Sequence, residues 1–118
     1  MKRRTFLQTG LGAAAVVAGL PRSANASEER TMNIVVAADP FAVDLKDAVK
    51  EHLEKRGFTV ADVGAVKGKD MPYYDAAPLA AKLLQEQKAE RAILFCGTGA
   101  GMCIVANKFK GVNAVCVE

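Results

Sequence analysis

The segment Cys96-Gly97-Thr98-Gly99-Ala100-Gly101 sets a thiol directly in front of three glycines at alternate positions. Glycines so spaced let the backbone turn several N–H groups toward one point. Where a helix starts just behind them, its dipole adds positive potential, so the turn suits an anion. A thiol facing such a helix start is expected to have a lowered pKa and to be partly thiolate near neutral pH. A thiolate beside an anion-holding turn supplies the two parts needed to take a proton from the carbon next to a carbonyl and hold the resulting enediolate. Thr98 can donate its hydroxyl proton to the same oxygen. A plain tight turn with a buried cysteine would need none of this. Asp39, directly after an apolar run, is a second candidate by position. Cys103 and Cys116 lack such a setting and read as small buried side chains.

These groups need a scaffold that brings strand ends together. Asn33 to Ala38 is a short continuous apolar run, the pattern of a strand buried on both faces. From Asp44 the period changes: Leu45, Val49 and Leu53 recur among charged residues until Gly57, which predicts an amphipathic helix with His52 on its solvated face. Phe58–Val63 reads as a second strand. A polar loop, Lys67 to Asp70, leads to a second helix over about Pro72–Glu90, with Leu79, Leu83 and Leu84 on one side and Pro78 in its first turns. Ala92–Phe95 reads as a third strand, Ile104–Phe109 as the body of a third helix, and Val112–Val117 as a fourth strand. Alternating strands and helices predict a Rossmann-like three-layer α/β/α domain with a mainly parallel sheet. In such sheets ligands bind beyond the carboxyl ends of the strands, where Asp39 and the Cys96 segment both lie. The chain stops at or just after the fourth strand without a covering helix, so a partner subunit or a C-terminally truncated domain is expected.

Of the 118 residues, 51% are hydrophobic and 25% charged, enough for one packed domain. The net charge of +3 belongs to the first 26 residues. That stretch holds Lys2, Arg3, Arg4 and Arg22, four of the 16 basic residues and none of the 13 acidic ones, leaving −1 for the remainder. Without a cationic surplus, nucleic acid is not an expected partner. A charged start, the apolar stretch Leu11–Leu20 and the small-residue site Ala24-Asn25-Ala26 make residues 1–26 an export signal. The run Arg3-Arg4-Thr5-Phe6-Leu7 fits the twin-arginine type, which implies a periplasmic or other extracytoplasmic destination and no stable membrane insertion after cleavage. Residues 27–32 then form a linker and 33–118 the domain. Three cysteines cannot all pair within one chain, and with His52 far from them in sequence no zinc site is expected.

Cys96-Gly-Thr-Gly-Ala-Gly-Met102, followed by Ala106-Asn107-Lys108 and Gly111-Val112, resembles the ribose-5-phosphate isomerase B and galactose-6-phosphate isomerase family. Asp39 with Leu45-Lys46, Gly57 with Asp62-Val-Gly64, and Asp70 with Pro72 extend the likeness over residues 33–118. The resemblance implies aldose–ketose isomerisation of a phosphorylated sugar, without metal or organic cofactor, by a homodimer whose sites draw on both subunits. On the matching positions it implies that Cys96 is the proton-transferring base. Gly97, Thr98, Gly99, Ala100 and Gly101 would then cradle the enediolate oxygens, and Asp39 and Asn107 would bind sugar hydroxyls.

The chain departs from the family's pattern in three places. Asp39-Pro40-Phe41-Ala42 stands where the family has Asp-His-Ala-Gly, and Met71 stands where a tyrosine commonly precedes the proline; Tyr73 or Tyr74 could substitute for it, from a different starting point on the backbone. The family's later segment, with arginines for the phosphate and a histidine for ring opening, has no counterpart. These departures and the exported address raise a second reading: a sugar or sugar-phosphate binding protein of the same fold that keeps the cradle and has lost turnover. Nucleotide binding is disfavoured, because the glycine spacing is G-x-G-x-G and follows the third strand, not the first.

Overall fold

The computed structural model describes residues 31–117, so the export signal assigned to residues 1–26 lies outside the described residues. The order of elements is β1 (Asn33–Ala38), a single 3-10 turn (Pro40–Ala42), α1 (Val43–Lys55), β2 (Thr59–Asp62), α2 (Tyr73–Gln85), β3 (Arg91–Phe95) and α3 (Ala100–Ala106). Among the described residues the sheet has three strands in the order β2-β1-β3, and both pairings are parallel. β1 runs down the middle, with Ile34 opposite Val60 on one side and opposite Arg91 on the other.

The alternation of side chains along β1 builds the layers. Ile34, Val36 and Ala38 point to one face and pack with Val43, Val49 and Leu53 of α1. Val35 and Ala37 point to the other and pack with Ala76, Ala77 and Ala80 of α2 and Met102 of α3. Val35 and Val36 are fully buried, each contributing roughly 1.5–3 kcal/mol of hydrophobic stabilisation. The packed body begins at Met32, whose side chain touches the first cluster and whose carbonyl accepts from Thr59 N–H.

Both helices bury other residues than their leucines suggest. In α1 the inward positions are Val43 and Lys46, while Leu45 is exposed. In α2 they are Ala76, Ala77, Ala80 and Ala81, and Leu79 is also exposed. α2 is wedged between the sheet and α3, and only methyl-sized side chains allow that approach; Leu83 and Leu84 fill its flank, half-buried. The charged stretch of α1 hides its inward lysine.

Val112–Val117 is not a fourth strand. The segment is irregular, because the Asn107 side chain takes both backbone groups that a ladder would use: Asn107 Oδ1 accepts from Ala114 N–H at 2.8 Å and Asn107 Nδ2 donates to Ala114 O at 2.9 Å. A cavity of about 740 Å³ remains between β3 and this tail, lined by Leu94, Met102, Cys103, Val112 and Cys116 among others.

After β2 the chain stays against β1, with Val63 N–H donating to Val36 O and Ala65 N–H to Ala38 O. Gly64 sits between them. A Cβ there would lie 2.5 Å from Ala38 N and 2.7 Å from Ala38 O, and neither backbone atom can give way. Gly64→Ala is therefore expected to destabilise the fold by about 3 kcal/mol or more, read as a lower urea midpoint at unchanged slope.

Candidate active site

The strand order fixes where a site can form. From β1 the chain goes outward to β2 and then returns past β1 to β3, so the connections leaving β1 and β3 part company at one point on the carboxyl edge. That reversal is the crevice open α/β sheets use for ligands. Asp39 leaves β1 there and Cys96 leaves β3 there.

Asp39 is 5% exposed and ties the two connections together. Its Oδ1 accepts from Phe41 N–H at 3.0 Å and Ala42 N–H at 3.2 Å, capping the 3-10 turn. Its Oδ2 accepts from Gly97 N–H at 3.3 Å, and its own N–H donates to Phe95 O at 2.9 Å. The carboxylate of Asp39, the residue expected to hold sugar hydroxyls, clamps the glycine loop to the end of β1.

The loop itself is Gly97–Gly99, with Gly99 in the left-handed region (φ 81°) as the residue before α3. Of the N–H groups expected to form the cradle, Gly97's is taken by Asp39 and Ala100's by Thr98 Oγ1 at 3.2 Å. Those of Thr98, Gly99 and Gly101 meet no acceptor among the described residues, as the first turn of a helix leaves its donors open. The Thr98 hydroxyl accepts from Ala100 and keeps its proton to donate. Cys96 is half-buried at the end of β3, one residue before this loop, and packs against the cluster containing Val35, Ala37 and Met102. The 740 Å³ cavity touches the loop only at Gly99, and Cys96 is not among its lining residues.

Other residues fall differently from expectation. Asn107 is not brought to the loop: it caps the far end of α3, about 10 Å along the helix axis, with its carboxamide turned to Cys103 O and Ala114. Cys116 is exposed rather than buried, with its thiol 3.6 Å from Thr98 O and against Gly99, and Cys103 is half-buried with its thiol 3.4 Å from Ala114 O. Tyr73, one of the two tyrosines that could stand in for the one Met71 replaces, has its ring on Gly101, where a Cβ would come within 2.7 Å of it, and Tyr74 meets it edge-on at 5.4 Å; the sequence does not announce this contact. The signal that could have found it is the glycine itself, since a helical glycine often marks a ring that needs its space.

Beneath α1, the fully buried Lys46 donates to Asp62 Oδ2 at 2.5 Å and to Asp47 Oδ1 at 2.7 Å. Lys50 stands 3.7 Å from the same Asp62 oxygen, and Asp62 Oδ1 is buried without a partner. Burial alone would push the Lys46 pKa down, but its hydrogen bonds and the charges of Asp47 and Asp62 outweigh this and hold it above the ordinary 10.5. The hydrogen bond from Lys46 holds the Asp47 carboxyl below its ordinary value. Asp62 ends β2, so this pair fastens the carboxyl end of the outer strand to α1. Among the described residues, no three His, Cys, Asp or Glu side chains gather as a metal site, and no helix is long and apolar enough to cross a membrane.

Comparison with known proteins gives the family and the fold. A family profile described as Ribose/Galactose Isomerase matches residues 34–118. A 4-deoxy-4-sulfo-D-erythrose isomerase of Clostridium sp. (strain MSTE9) is 44% identical over 88 residues, covering 74% of this chain and 55% of its own length. A D-erythrulose-4-phosphate isomerase of Pectobacterium atrosepticum is 42% identical over 84 residues, covering 70% and 55%. The solved ribose-5-phosphate isomerase B of Clostridium thermocellum is similar with a TM-score of 0.67 at 33% identity, over 70% of this chain and 55% of that one. The chain thus spans about half the length of the curated relatives it matches.

Proposed function

The chain belongs to the ribose/galactose isomerase family, and from that premise we propose that it interconverts the aldose and ketose forms of a phosphorylated sugar by proton transfer through an enediolate. The observation that carries the reading is the Asp39 to Gly97 bridge at the sheet's reversal point, which holds the glycine loop beside Cys96 with three backbone N–H groups open. In this mechanism the Cys96 thiolate takes the proton from C2 of the open-chain aldose, and the electrons move onto the C1 carbonyl oxygen. The N–H groups of Thr98, Gly99 and Gly101 and the Thr98 hydroxyl receive that oxygen. The thiol then returns the proton to C1 while the proton of the C2 hydroxyl passes to the C1 oxygen, giving the ketose and restoring the thiolate. Asp39 acts as the positioning residue of the loop.

The proposal extends to context. The chain is exported by the twin-arginine route, cleaved after Ala26, and works as a homodimer in the periplasm or beyond, without nucleic acid as a partner. Its support is the leader's composition and the family's pattern.

The test is isomerisation in deuterated water with ribose 5-phosphate and D-erythrulose 4-phosphate. Product carrying solvent deuterium at the carbon beside the carbonyl is expected. Turnover with complete retention of the substrate hydrogen would indicate a hydride shift and overturn the proton transfer. Ligand-dependent thermal stabilisation without turnover or exchange would replace the isomerase with a binding protein.

A further inference from the structure

We propose that Phe41 is a specificity-determining residue of this site, an aromatic wall that rests on the C–H face of the bound sugar opposite the wall made by Tyr73; the proposal rests on the isomerase reading above. Phe41 is 88% exposed, more than any other large apolar residue among those described. An exposed phenyl ring forgoes a burial that a ligand can restore. Its position is set by the site itself, because the Asp39 carboxylate that accepts from Phe41 N–H also accepts from Gly97 N–H. Pro40, with its fixed φ, opens the short turn and limits the directions the ring can take. Beside it Gly97 leaves the space open: even an added Cβ would stand 3.9 Å from Phe41 Cβ.

At the other end of the loop Tyr73 lies on Gly101 and is itself steadied by Tyr74. The segment that carries the open N–H groups thus has Phe41 beside Gly97, its first glycine, and Tyr73 against Gly101, its last. Sugars present polar edges and apolar C–H faces, and a pocket that reads both combines a few aimed donors with aromatic surface. Phe41 offers no hydrogen bond, so at its position the site favours a substrate that turns C–H groups, and not a hydroxyl or the phosphate, toward it.

The experiment is steady-state kinetics of the full chain and its Phe41→Ala and Phe41→Trp variants with ribose 5-phosphate and D-erythrulose 4-phosphate, alongside melting temperature and sedimentation. With Phe41→Ala, KM is expected to rise about five- to tenfold with kcat within about twofold, and Phe41→Trp to restore KM. The melting temperature is expected to stay put, because the ring packs on little. An unchanged KM in Phe41→Ala overturns the proposal, as does a joint loss of kcat and melting temperature, which would make the role structural. A change in sedimentation with KM intact would assign the ring to a subunit contact and overturn it too. If the wild-type chain neither turns over nor exchanges with either sugar, the isomerase reading fails first and this proposal falls with it.

Discussion

Cys96→Ala is expected to lower both isomerisation and solvent-deuterium exchange by about 10²–10⁴-fold while leaving the fold intact. Cys96 leads directly into the loop, and the neighbouring carboxylate is already committed: both Asp39 oxygens accept from backbone N–H groups. Truncating a half-buried cysteine to alanine removes one sulfur from the edge of the second cluster and should cost about 1 kcal/mol or less, so a folded but inactive variant is the expected product. Cys103→Ala serves as the control, because that thiol faces Ala114 at the tail and should leave exchange at the wild-type rate. Exchange that persists in Cys96→Ala would move the base elsewhere. A Cys96→Ser variant tests the chemistry against the shape: it keeps a polar group at nearly the same place but is a far weaker base, and should track alanine.

The largest expected loss of stability is at Lys46. Lys46→Ala leaves Asp62 buried with one oxygen already unpartnered, and removal of one member of a buried pair typically costs about 3–5 kcal/mol. Lys50, 3.7 Å from the other oxygen, is the only remaining cation paired with it among the described residues and is half-exposed, so it offsets little. The double variant Lys46→Met with Asp62→Leu removes both charges and should recover most of the loss, which separates an ion-pair defect from a packing defect. The pH dependence has a definite sign. Because the Lys46 pKa is raised in the folded state, its stabilising contribution is fully present below 10.5 and is lost as pH climbs through the raised value. The urea midpoints of wild type and Lys46→Met should therefore converge above that range. Asp47 behaves oppositely: its lowered pKa makes its contribution present above the ordinary 3.8 and lost as pH falls through the lower folded value. A midpoint difference that stays constant into strong alkali would assign Lys46 a packing role only.

The residues most legible in the sequence are those whose role is local. The apolar run Asn33–Ala38 announces a doubly buried strand, and the three glycines after Cys96 announce a turn opening a helix; both stand where expected. Leu45 and Leu79 mislead because a hydrophobicity pattern assumes that large apolar residues fill the core, whereas α2 approaches the sheet through alanines and α1 turns Lys46 inward. Lys46 can be identified only with its partner Asp62, 16 residues on, since a lysine among charged residues looks solvated until its counter-charge is placed. The fourth strand fails for a related reason: Val112–Val117 has strand-like composition, but Asn107 satisfies Ala114 before a neighbour can. The position of Asp39 at the end of the first strand is legible in the sequence, but its bridge to the glycine loop is not. Its hold on Gly97 crosses 58 residues of sequence, and only the strand order reveals that the two meet.

The central place of β1 also sets a schedule for folding. Its pairing with β2 joins residues that are close enough in sequence to meet early, as Asn33 does with Thr59. Its other edge waits for Ile34 to find Arg91, a far longer loop to close. During synthesis the sheet's middle strand therefore spends the interval before β3 emerges with one side bare, and ribosome pausing between α2 and β3 should be the moment at which this chain is most prone to self-association or to capture by a chaperone.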